Sequence, residues 1–136
     1  MYVGAMTSAA APAPKSQTGL QIHLLLVVLA LGCLVVQVYL AGRGAFGAST
    51  YEAHKNFGHV LEPVALLLII ATVAIPATRN KGDIIQAVAF LVLVIVQTIL
   101  AEAGASVAAL HPVNALIIIG LLAGMLSKDR RLLTGG

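Results

Sequence analysis

The chain has 136 residues, of which 60% are hydrophobic and 10% charged, with a formal net charge of +3. That balance lies well outside the range of a soluble domain. The basic residues are scattered over loops and tail, which excludes a nucleic-acid surface, and the lone Cys33 excludes an intrachain disulfide.

Residues 1–19 are rich in Ala, Pro, Ser, Thr and Gly and read as a disordered arm with no apolar pattern to bury. Four apolar stretches follow, at about 20–41, 57–77, 84–103 and 108–127, each near the roughly 20 residues that a bilayer core of about 30 Å requires. The segment 128–136 reads as a short basic tail. Only helices that satisfy their own backbone hydrogen bonds cross a membrane in a chain this short. The expected fold is therefore all-α: a four-helix transmembrane bundle, up-down-up-down, over residues 20–127. The first apolar run is longer than a signal-peptide core, so it is expected to be retained.

Between the first two spans, Gly42 to Ala48 form a flexible loop ending in Ser49-Thr50-Tyr51-Glu52, which has the spacing of a capping box. The second connection, Pro76 to Asp83, is a tight basic turn, with Asn80 and Gly82 breaking the helix. The third, around Gly104-Ala105-Ser106, is short and uncharged. Lys15, Arg79, Lys81, Lys128, Arg130 and Arg131 fall on one face, against Arg43 and Lys55 on the other. The bias predicts cytoplasmic termini in a multi-pass protein of the inner membrane.

Polar side chains inside a span are costly and mark interiors or sites. Here they gather in the outer half. Gln37 ends the first span; His54, His59 and Glu62 begin the second; Gln97 and Glu102 end the third; His111 and Asn114 begin the fourth. The inner half keeps His23, Gln86 and Asp83, with no deeper acid. Counting back from the inner helix ends puts His59 and His111 at one depth, where two imidazoles on separate helices would ligate an iron or hold a flat macrocycle. Gly58 would let such a group approach the backbone, and Glu62, Asn114, Gln37 and Gln97 would orient the ligands. Pro63 and Pro112 deprive the carbonyls of His59 and Ala108 of their helical partners and are expected to bend the helices there. His54 is the rival ligand, about 140° around the helix from His59 and about 7.5 Å higher; it takes over if the pocket sits at the membrane surface.

Gly120 and Gly124 form a small-xxx-small pair on the fourth span. They permit close contact with a neighbour in the bundle, or a homodimer or larger membrane complex.

The segments Tyr51-Glu52-Ala53-His54-Lys55-Asn56-Phe57-Gly58-His59 and Leu110-His111-Pro112-Val113-Asn114-Ala115 resemble those of small four-helix bacterial membrane proteins of unknown function. These are similar in layout to one half of haem A synthase and to cytochrome b561-type bundles. The resemblance implies one b-type haem held by histidines on alternate helices, serving electron transfer, haem handling or redox sensing. With one complete outer pair and His23 alone on the inner side, electron transfer across the full membrane is not expected of this chain unaided. The alternative is a cofactor-free accessory subunit that packs through helix faces; a small transporter or proton conduit using Glu62 and Glu102 ranks third. No nucleophile–base pair, phosphate loop or metal cluster points to an enzyme.

Overall fold

The computed structural model describes residues 17–135, and every regular element among them is helical. Helix α1 runs Gln17–Ala45, α2 Glu52–Gly58, α3 Leu61–Ala74, α4 Lys81–Glu102, α5 Ala105–Ala108 and α6 His111–Thr134. Four units are long and apolar enough to cross a membrane: Gln17–Ala45, Glu52–Ala74, Lys81–Glu102 and Ala105–Thr134. Their outward faces carry Leu25, Val35, Ile70, Ile99 and Leu116, all exposed. An apolar surface of that extent suits lipid and not water, as expected of a multi-pass membrane protein.

The second and fourth units are each broken near the start, and the breaks have one cause. A proline ring clashes with the carbonyl four residues earlier. For Pro63 that residue is His59, and α2 ends at Gly58; for Pro112 it is Ala108, where α5 ends. The two-residue turns His59–Val60 and Ala109–Leu110 are closed by Val60 N–H to Phe57 (3.0 Å) and Leu110 N–H to Val107 (2.9 Å). Each proline then sits in the first turn of the next helix, where its missing N–H has no partner to lose.

Helix α1 packs against α3 and α6, and α4 packs against the same two, so α3 and α6 lie across the bundle from each other. Short α2 lies on α1 and short α5 on α4. The core is a continuous apolar column of Val27, Ala30, Leu34, Ala65, Leu68, Phe90, Val94, Ile118 and Leu122. Buried positions on α6 recur at Asn114, Ile118, Leu122, Met125 and Asp129, the three- and four-residue spacing of one helix face.

Several local expectations change. The arm expected over 1–19 lies outside the described residues apart from Gln17 to Gly19, which are already helical. The segment 128–134 is not a tail: α6 continues through it to Thr134 and is capped by Gly135 at φ 74°. It stays helical because Lys128 and Asp129 are engaged inside the bundle, with Asp83 and His23 respectively. The capping box before α2 does not form: Tyr51 is the N-cap without a side-chain bond, and Ser49 bonds to the Thr50 carbonyl instead. Asn80 does cap α4, accepting from Asp83 N–H at 3.1 Å while its amide donates to the Asp83 carboxylate at 2.6 Å.

Candidate functional site

At the end of the bundle where α1 and α4 finish and α2 and α6 begin, two histidines meet. The His54 and His111 ring centroids are 5.8 Å apart with planes at 68°. His54 Nδ1–H donates to the Gln37 carbonyl of α1 at 3.1 Å, and His111 Nδ1–H donates to the Gln97 carbonyl of α4 at 3.1 Å. A carbonyl only accepts, so each ring carries its proton on Nδ1, and in the neutral tautomer each Nε2 keeps a lone pair. Neither Nε2 has a hydrogen-bond partner among the described residues.

The two anchors arise the same way. Each histidine lies near the start of one span and takes a carbonyl near the end of the span before it. Gln97 is held twice over: its amide donates to the His111 carbonyl at 3.0 Å, and its Oε1 accepts from Asn114 at 2.6 Å. Asn114, buried, also donates to the Leu93 carbonyl at 2.9 Å. The fourth span is thus fixed to the third around His111. On the other side, the Tyr51 ring meets His54 edge-on at 6.4 Å. That ring lies over Gly44, where any Cβ would stand 2.8 Å from it. Glycine is needed there for the close approach.

Two cavities share a wall made by Gln37, His54, Leu61, Gln97 and His111. One, of about 250 Å³, runs toward α2 and α4 and is edged by Lys55, Gly58, His59, Thr98 and Glu102. The other, of about 340 Å³, runs between α1 and α6 and is lined by Leu34, Val38, Ala41, Ala115, Leu116 and Ile119. The Gln37 amide reaches this wall with a buried Oε1 that has no partner among the described residues. Gly58 makes room for it: a Cβ at residue 58 would come within 2.7 Å of Gln37 Nε2.

His59 does not face His111. Its side chain is 63% exposed and reaches only Glu62, at 3.5 Å, while Glu62 also accepts from Thr98 at 3.5 Å. The reason is the break at His59–Val60. Depth counted along an unbroken helix places His59 opposite His111, but the turn swings it to the rim and leaves half-buried His54 on the shared wall. Gln37, Gly58, Gln97 and Asn114 are brought together with His54 and His111, whereas His59 and Glu62 stand at the edge.

The other end of the bundle holds a second polar cluster that the expectation of a lone inner His23 omits. His23 lies 2.7 Å from Asp129 and 3.0 Å from Thr72, all three buried. Asp83 pairs with Lys128 beside them. Buried acids therefore do stand at this end, Asp83 and Asp129. Asp129 was legible in principle, as the next step of the stripe Ile118, Leu122, Met125. Between the two clusters lie Val27, Ala30, Leu68, Phe90, Ile118 and Leu122, all fully buried and apolar. Among the described residues no polar path joins the ends. No group of three or more His, Cys, Asp or Glu side chains suited to a metal ion occurs among them either.

The face carrying Gly120 and Gly124 is exposed, and a Cβ at either would meet nothing within 4 Å. The pair makes no helix contact inside the bundle.

No curated protein and no solved structure matches the chain. Residues 37–106 match a family of unknown function, DUF6220. The matched segment begins at Gln37, contains His54, Gly58 and Gln97, and stops five residues short of His111. It covers half of the sequence, and the chain belongs to that family.

Proposed function

We propose that this is a multi-pass protein of the inner membrane that binds one b-type haem at its outer end, with His54 and His111 as axial ligands, and serves electron transfer. The observation that carries the reading is the matched anchoring of the two rings. Each Nδ1–H is held by a backbone carbonyl of the preceding span, which fixes the tautomer and leaves Nε2 for a metal. The rest of the wall agrees. Among the described residues Gln37 Oε1 is a buried acceptor without a donor on the same wall, and imidazole nitrogen suits iron.

The cavities agree in position and character. Ligand pockets hold about 300–1,000 Å³. The α1–α6 cavity, of about 340 Å³, falls at the low end of that range and the α2–α4 cavity, of about 250 Å³, just below it. Both share the wall that carries the ring pair. The α1–α6 cavity offers an apolar lining to a macrocycle, and the α2–α4 cavity offers Lys55 and Thr98 at its rim. Bound there, the haem would supply a one-electron couple tuned by two imidazoles. The chain's own part is to hold the rings, exclude water with Leu34, Leu61 and Ile119, and fix His111 through Gln97 and Asn114.

The bundle is up-down-up-down with both termini cytoplasmic. Support comes from the contacts of helix ends, with the start of α1 against the ends of α3 and α6, and from the basic residues gathered at that end. Visible absorbance of the purified protein tests the haem reading, since two-histidine ligation gives sharp bands that shift on reduction.

A second reading is an accessory subunit, favoured by the outward-facing Gly120 and Gly124. On that reading a homodimer or larger membrane complex forms through this face. Gly120→Leu would then dissociate the assembly in detergent while leaving the absorbance spectrum unchanged.

A further inference from the structure

At the inner end, His23 of α1, Thr72 of α3 and Asp129 of α6 meet with none more than 2% exposed. Three contacts run in series. The Thr72 hydroxyl lies 2.7 Å from the Leu68 carbonyl, His23 Nε2 lies 3.0 Å from that hydroxyl, and His23 Nδ1 lies 2.7 Å from Asp129 Oδ2. Each joins two electronegative atoms at hydrogen-bond distance, so each requires a proton.

The protons can be placed one at a time. The Leu68 carbonyl has none to give, so the single hydroxyl proton of Thr72 lies between those two oxygens. Thr72 then accepts from His23, and Nε2 is an N–H. A neutral imidazole has no second proton. With an ionised Asp129 the contact to His23 Nδ1 would set two acceptors 2.7 Å apart. The opposite tautomer moves the fault without removing it. If Thr72 donated to Nε2, the 2.7 Å contact with Leu68 would be the one left without a proton.

We propose that His23 and Asp129 form a proton-binding site that retains one proton between Nδ1 and Oδ2, as imidazolium with carboxylate or as imidazole with carboxylic acid. Either form is neutral as a pair, which is what allows both groups to be buried. Among the described residues no neighbouring group takes over the task. Lys128, next along α6, is engaged with Asp83 of α4. From α3 and the turn after it come only hydroxyls, Thr72 and Thr78, and Thr78 donates to the carbonyls of Thr72 and Ile75. The fully buried apolar side chains of Leu68, Phe90 and Leu122 close the site off from the outer cavities, so the proton exchanges with the inner end alone. The retained proton joins three spans at one point. The site is independent of the haem reading.

The test is nitrogen-15 NMR of the full chain, labelled at histidine, in detergent micelles at neutral pH. Combining His54→Ala, His59→Ala and His111→Ala leaves His23 as the one histidine, and none of the three touches the node. The expected result is a His23 ring protonated on both nitrogens, or a ring protonated on Nε2 alone together with an infrared band of a protonated carboxyl. In Asp129→Asn the side-chain amide can itself donate to Nδ1. The ring there should become a neutral Nε2–H tautomer, and any carboxyl band should vanish. A neutral His23 with no protonated carboxyl overturns the proposal, as does a neutral ring protonated on Nδ1. The unsubstituted node decides the matter on its own, so the outcome does not hang on whether Asp129→Asn folds.

Discussion

Gly58 and Gln37 compete for one space: a Cβ added at residue 58 would stand 2.7 Å from the Gln37 amide nitrogen. The atom it meets is the far end of a flexible side chain, so Gly58→Ala should fold with a stability change of at most about 1 kcal/mol. What it should disturb is the shared wall of the two cavities, by pushing the Gln37 amide aside. Haem affinity is expected to fall about tenfold, as for the loss of a group supporting a ligand. Haem titration beside a thermal melt separates the two effects; equal affinity with a lowered midpoint would assign Gly58 to packing alone.

Asn114 holds Gln97 and the Leu93 carbonyl at once, and Gln97 in turn holds His111. Asn114→Ala should therefore cost about 1–2 kcal/mol, the upper range for a polar contact between membrane helices. It should also loosen His111 and weaken haem binding. Reversible unfolding in detergent reads the first effect and titration the second. A variant of unchanged stability would show that the Asn114 bonds are replaced by others.

The arrangement of ends makes an orientation prediction. A reporter fused after Gly136 should be active only in its cytoplasmic form, because the basic residues cluster where α6 ends. Labelling from outside the cell would invert the bundle and place the imidazole pair on the inner face.

The four spans were legible in the sequence because a lipid-facing helix must be apolar on every side, and nothing else in a chain of this length is. Part of the shared wall was legible for the complementary reason: Gln97 and Asn114 are too costly inside a span to lack partners, and each bonds the other. The pairing of the histidines was not. Depth along a straight helix selects His59, but Pro63 and Pro112 end the helices before them, and the turn at His59–Val60 exchanges His59 for His54 on the wall. The prolines predict bends, yet a bend does not say which of two histidines five residues apart turns inward. The node of His23 and Asp129 is hidden in the sequence for a different reason. Asp129 stands among Lys128, Arg130 and Arg131 and reads as part of a solvated tail, while its burial follows from a stripe visible only once α6 is continued to Thr134. The outward face of Gly120 and Gly124 likewise depends on which side of α6 the core occupies.

The most direct test of the central claim is one set of visible spectra on detergent-purified protein expressed with haem available. Sharp b-type bands that shift on reduction are expected, lost in His54→Ala and in His111→Ala but retained in His59→Ala and His23→Ala. Folded protein that is colourless and stays so after haem addition would contradict the claim, as would a full spectrum surviving His54→Ala.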